Sequence, residues 1–167
     1  SALAAMDPQR AVEWLENSEN KMTHLPWMND ILAGTVTKEW ARRDPDAALA
    51  WASTVPKSQR MGALTGVLGT LAASDPARAS DLASDLEPSA ARTDVIGQIA
   101  EAWAKRSPQD AIGWAISLQG ADRDRGVGEA LNGWAFSAPV EAASYVDEIS
   151  VEQLGGRAIA SVAESWA

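Results

Sequence analysis

Asp81 and Asp85 stand four residues apart in SDLASDLE, a spacing that puts two carboxylates on one face of a helix. Paired carboxylates can do acid–base work, but only in a cleft that shifts their pKa values. The alanine-rich surroundings suit an exposed face instead, so solubilising charge is the expected role. Asp122, Asp124, Gly126 and Glu129 have the residue types of a calcium loop. Such a loop needs glycine at its sixth place and glutamate at its twelfth. The spacing fails, and a solvated turn opening a helix is expected there. His24 is the only histidine, with no evident catalytic or ligating partner, and the chain has no cysteine. Disulfides, thiolate metal sites and cysteine nucleophiles are therefore excluded. No Gly-x-Ser-x-Gly motif occurs, and Gly62, Gly66 and Gly69 fall within a helical pattern rather than a phosphate-cradling loop. The sequence calls for no metal and no cofactor.

Arg60, Arg92 and Arg123 are the sharper pattern, recurring at steps of 32 and 31 residues. Each lies near the start of a helix, where a cation opposes the helix dipole and needs compensation. The expected compensation is a ladder of salt bridges to acidic groups of neighbouring units, with Asp75 and Glu87 as candidate partners. The alternative is a ridge that binds anions or carboxylates.

These residues sit in a repeat. Asp7-Pro8, Asp44-Pro45, Asp75-Pro76, Ser107-Pro108 and Ala138-Pro139 follow one another at steps of 37, 31, 32 and 31 residues. Four residues after each first member comes Ala11, Ala48, Ala79, Ala111 or Ala142. Seven after it comes Trp14, Trp51, Leu82, Trp114 or Tyr145. Four before it lies Leu3, Trp40, Leu71, Trp103 or Trp134, followed each time by alanine. Asp or Ser before Pro is an N-cap followed by proline at the first helical position. A helix is expected to start at each pair, with Ala138 the weakest cap by about 1 kcal/mol.

Upstream of the pairs, Ile96, Ile99, Ala100 and Trp103 have the i, i+3, i+4, i+7 spacing of an amphipathic helix. Leu64, Val67, Leu68 and Leu71 match them, as do Val127, Ala130, Leu131 and Trp134. Two or three residues separate each stripe from the next pair, so a tight helical hairpin is expected. Gly34, Thr65, Gly97, Gly128 and Ala160 share one position on the upstream helix and suggest a seam of close helix–helix approach. The large Trp of one helix is expected to fill the hole left by an Ala of its neighbour. The following helices should end near Val55, Leu86, Leu118 and Ile149, before turn formers. Such hairpins bury their apolar faces only by stacking, so the expected fold is all-α, an α-solenoid of about five helical-hairpin repeats of 31–32 residues.

One interval is longer by about six residues. The extra material is assigned to an insertion, 16–30, holding His24 and a Trp27 outside the repeat register. Trp14, Trp40, Trp51, Trp103, Trp114, Trp134 and Trp166 fall on core stripes, so aromatic side chains are expected in the core. Leu3-Ala4 and Trp166-Ala167 are in the same phase, so residues 1–167 read as one repeat domain cut from a longer repeat protein.

DPQRAVEW and DPDAALAW resemble the join between tetratricopeptide repeats, where Asp-Pro leads into a helix with alanine three residues past the proline. The resemblance covers that join in each unit and, loosely, the helix-turn-helix period. It implies a right-handed superhelix with a concave peptide-binding groove lined by the helix after Asp-Pro. The period here is shorter than that family's, and its Leu-Gly after the first Trp is absent, since Trp51 precedes Ala-Ser-Thr. The family's peptide-clamping residues therefore have no matching positions.

The net charge of −9 and pI near 4.5 repel phosphate backbones, so no nucleic-acid partner is expected. No apolar run is long enough to span a membrane. The compartment is left open. Two functions remain. The first is a non-catalytic scaffold that binds a peptide or protein, basic or amphipathic in character, on a concave helical surface. The second is a structural or regulatory helical arm of a larger enzyme. For the scaffold, the candidate binding positions are Ala50, Ser53 and Thr54, then Asp81 and Asp85, then Gly113 and Ser117. Trp27 and the arginines Arg60, Arg92 and Arg123 join that set.

Overall fold

The computed structural model describes residues 26–148 and, ahead of them, Glu13. The Asp7-Pro8 pair, Trp14, His24, Ile149, Ala160 and Trp166 lie outside the described residues. Eight helices are described: α1 (Pro26–Ala41), α2 (Pro45–Thr54), α3 (Lys57–Ser74), α4 (Pro76–Ser84), α5 (Ala90–Ala104), α6 (Pro108–Ser117), α7 (Gly120–Ser137) and α8 (Pro139–Glu148). No strand occurs among the described residues, and the fold is all-α. The chain divides into two compact units, Ser1–Leu71 and Ala72–Ala167.

The helix starts are the same local structure four times over. Asp44, Asp75, Ser107 and Ala138 share φ between −148° and −142° and ψ between 73° and 88°. The carbonyl of each accepts the N–H of Ala48, Ala79, Ala111 or Ala142 at 3.1 Å. Those four alanines are fully buried, so a larger side chain has no room there. The N–H groups of Asp44, Ser107 and Ala138 donate back to the carbonyls of Trp40, Trp103 and Trp134 at 2.9, 2.9 and 2.8 Å. One residue thus closes the helix before it and opens the helix after it, and proline follows because its missing N–H has no partner to lose. Asp44 and Asp75 add a side-chain cap, accepting from the N–H of Ala47 and Arg78. Ser107 does not: it holds the cap backbone without a side-chain cap bond.

The large residues flanking each pair meet. Trp40 stacks on Trp51 with ring centroids 6.2 Å apart, Trp103 on Trp114 at 5.9 Å, and Trp134 on Tyr145 at 5.0 Å. All three pairs are tilted, and such contacts add about 0.5–1.5 kcal/mol beyond area burial. Each aromatic on an upstream helix packs on the aromatic eleven residues later, clasping its own hairpin. The stripes of the upstream helices are interior. Val67, Leu68, Leu71, Ile96, Ile99, Ala100, Val127, Ala130 and Leu131 are all buried.

In the first unit, α1 and α3 touch backbone to backbone. A Cβ on Gly34 would stand 2.8 Å from the Gly62 carbonyl oxygen, and one on Gly66 would overlap the Gly34 carbonyl oxygen and Thr37 Oγ1. Glycine costs a helix about 1 kcal/mol against alanine, and here the close approach requires it. Fully buried Thr37 spans the contact, its hydroxyl donating between Ala63 O at 2.8 Å and Ala33 O at 2.9 Å.

In the second unit, α5 and α7 approach differently. A Cβ on Gly133 would lie 2.5 Å from the Glu101 carbonyl oxygen, but Gly97 is covered by the side chains of Arg125 and Glu129. The expected glycine seam therefore holds at Gly34 and Gly97. At Gly128 a Cβ meets no described atom within 4 Å, and the helix expected against it lies outside the described residues.

Candidate functional site

The helices after the pairs bury one side. Their recurrent alanines and large residues point inward, leaving the described positions six and ten residues after each pair outward, and the ninth outward on α2 and α4 but taken by half-buried Ile116 on α6. Ala50, Ser53, Thr54, Asp81, Asp85, Gly113 and Ser117 are all exposed. Within the second unit these positions fall on α4, α6 and α8; those of the first unit fall on α2.

The hydroxyls on these positions are already spent on their own helices. Ser53 Oγ donates to Leu49 O at 3.0 Å, Thr54 Oγ1 to Trp51 O at 2.8 Å, and Ser117 Oγ to Trp114 O at 2.6 Å. Ser84 and Ser144 donate in the same way to Ser80 O and Val140 O. What remains outward is lone pairs, carboxylates and methyl groups, an accepting rather than donating surface. Charge follows the same division. Among the described side chains, helices α2, α4, α6 and α8 carry Asp46, Asp81, Asp110 and Glu141 against one basic residue, Arg78. Asp85, which caps the end of α4, adds to that side. Gly113 has open space where a side chain would stand.

The arginines have another role. Arg60 Nη2 donates to Val55 O at 3.3 Å, and Arg92 Nη1 to Leu86 O at 2.7 Å. Each guanidinium folds back onto the carbonyls that end the preceding helix, where the dipole is negative. That offsets the unfavourable placement at a helix start. The acidic partner of Arg92 is Asp122, at 3.0 Å from Nε, rather than the expected Asp75 or Glu87. Asp75 instead caps its own helix. Thr93 Oγ1 also donates to Asp122, which is half-buried, so the start of α7 is a clamp on α5 and not the solvated turn expected of it.

Trp27 is the second residue of α1. It stands seventeen residues before its pair, as Ser58, Ala90 and Ala121 stand before theirs, so it belongs to the repeat register. The insertion assigned to 16–30 therefore stops short of Pro26: residues 26–30 open a helix, and the extra length precedes it.

A shallow open depression of about 510 Å³ lies between the starts of α5 and α7, lined by Pro88, Ser89, Thr93, Asp94, Gln119 and Asp122. Two helix N-termini face it, but its two carboxylates oppose an anion, and Asp122 is already held by Arg92 and Thr93. Among the described residues no group of three or more His, Cys, Asp or Glu is placed to hold a metal ion. No described helix is long and apolar enough to cross a membrane. Burial against Trp134 pushes the Tyr145 phenol above its ordinary value.

Comparison with family models, with curated proteins and with solved structures finds no match.

The positions that bring the upstream helices together escape the repeat count. Thr37, Gly66, Gly133 and the Arg92–Asp122–Thr93 clamp each occur in one register only. The available signal was Gly62 and Gly66, one turn apart inside a helix, a costly choice that implies a close neighbour.

Proposed function

We propose that the chain is a non-catalytic binding scaffold, a right-handed tetratricopeptide-like α-solenoid of about five hairpins that takes a basic or amphipathic peptide or protein partner. The observation that carries this reading is the accepting surface of the post-pair helices. Outward hydroxyl protons are committed to the helices, carboxylates dominate, and small residues leave room for an incoming backbone. A partner rich in Lys or Arg supplies the missing donors, and its apolar face finds the open space at Gly113 in the second unit. The stacking supports the repeat reading: α1 meets α3, and α5 meets α7, upstream helix on upstream helix. Charge at exposed sites steers association more than it tightens it, so binding should weaken as salt rises.

The test is capture of partners from the native lysate on the immobilised chain, at low and high salt, beside a variant carrying Ala50→Arg, Asp81→Arg and Gly113→Arg. A partner held by the parent chain, released by salt and lost from the variant is expected. Equal capture by both chains would place binding elsewhere. No capture from either would favour an arm of a larger enzyme.

A further inference from the structure

We infer that the partner of the accepting face is a second copy of this chain, whose α5–α6 and α7–α8 turns dock on α4 and α6. The inference rests on the reading of the post-pair helices as a face for basic or amphipathic partners. Both surfaces are described within the second unit.

The turns form one edge. Arg106 Nη1 donates to Ala73 O at 2.9 Å, and Lys105 Nζ stands 5.9 Å from the centre of the Phe136 ring. The ends of α3, α5 and α7 therefore lie side by side. Three large apolar side chains are exposed among the described residues, and two of them, Phe136 at 85% and Val140 at 78%, flank the joint at Ala138. The cations beside them keep donors to offer. Arg106 spends one of its five N–H groups on Ala73 O. Lys105 has three, and its 2.7 Å pair with Glu101 is exposed, so it exchanges at little cost.

This edge supplies what the accepting face lacks. Asp81 and Asp110 accept from cations, and exposed Gly113 leaves room for a ring. The spacing also matches. Asp110 and Gly113 are three residues apart on one helix, where side-chain positions lie about 5–6 Å apart. Lys105 and the Phe136 ring are 5.9 Å apart. Lys105 on Asp110 thus sets the ring over Gly113, with Arg106 left for Asp81. Helix α6 carries Gly113 roughly 9 Å away from its own turn, so an edge meets the face of another copy and not its own. Edge on face is a heterologous contact with no two-fold axis, so every added copy leaves one free edge and one free face, and growth passes the dimer. Small patches and a charge of −9 on each copy keep the contact weak.

Sedimentation equilibrium of the full chain at rising concentration tests this. One variant, Lys105→Gln with Phe136→Ser, removes the edge. Another, Asp81→Lys with Asp110→Lys, removes the face. The expected result is a parent chain whose average mass climbs past that of a dimer, two variants that each stay monomeric alone, and an equal mixture of them that forms dimers and stops there. Pairing on mixing also shows that both variants are folded. A parent chain that stays monomeric, while a Lys- and Leu-bearing amphipathic helix still binds it, would overturn the second copy as partner and leave the accepting face standing. A parent chain that binds neither would overturn both. Association that stops at a dimer, or that survives in either variant alone, would overturn the edge-on-face contact.

Discussion

Helices α1 and α3 in the first unit, and α5 and α7 in the second, solve the same packing problem with different chemistry. Between α1 and α3 the contact is made by backbone, through Gly34, Gly62 and Gly66, with Thr37 donating to Ala63 O across it. Between α5 and α7 backbone contact is confined to Gly133 on Glu101, and the rest is side chain: Arg92 and Thr93 on Asp122, Arg125 and Glu129 over Gly97. The same register glycine is therefore locked in one unit and loosely covered in the other. A repeat fixes which positions meet; the residues placed there decide how near the helices come and how much substitution the contact tolerates.

The sharpest break of that comparison is a single methyl group. Gly66→Ala should cost about 3 kcal/mol or more, because the added carbon meets a carbonyl oxygen and a buried hydroxyl that have nowhere to move. Gly97→Ala should fall within about 1 kcal/mol, since long side chains can yield and the helix gains alanine's propensity. Chemical denaturation of both variants checks the pair, and equal losses would remove the distinction between the two contacts.

Next in size is the clamp. Arg92→Leu removes both the bond to Leu86 O and the partner of half-buried Asp122, and should cost about 2 kcal/mol. Arg60→Leu, which loses one 3.3 Å bond from an exposed side chain, should cost about 0.5 kcal/mol. Similar losses at both sites would mean that the carbonyl contact, not the ion pair, sets the value of these arginines.

The smallest effect concerns Tyr145, whose folded phenol titrates above its ordinary value because it is buried against Trp134. The folded state favours the neutral form. Its stability contribution is thus complete below the ordinary tyrosine pKa and is lost as pH rises through the folded pKa. Tyr145 is the only tyrosine in the chain, so an absorbance titration reads it alone. Tyrosinate should form at higher pH in the folded protein than in denaturant, and coincident curves would contradict the burial.

Much of the local structure was legible because it repeats. Four cap residues with one backbone geometry, four fully buried alanines and three stripes of buried residues follow from spacing alone, since a helix start and a 3.6-residue face are local properties. The aromatic clasp was present in the sequence as two recurrent positions, but which of them touch depends on how the hairpin turns. Trp27 has no aromatic counterpart in the other copies, where Ser58, Ala90 and Ala121 stand, so residue type hides a register that counting back from Asp44 reveals. The partners of Arg92 and the different contacts at Gly34 and Gly97 are set between helices distant in sequence, and periodicity within one helix carries no information about them. The outward positions of the post-pair helices were readable as exposed. That their hydroxyl protons are already committed was not, because it depends on rotamers.

The most direct measurement of the central claim is a binding titration with a synthetic Lys- and Leu-bearing amphipathic helix, comparing charge-matched reversals on the two sets of helices. Asp81→Lys with Asp110→Lys alters the post-pair helices. Asp94→Lys with Glu101→Lys makes the same net change on an upstream helix. The account predicts that affinity falls at least about tenfold for the first chain, a change of about 1.4 kcal/mol, and stays near the parent value for the second. Equal losses from both would show attraction to net charge alone, and the post-pair helices would no longer be the binding face.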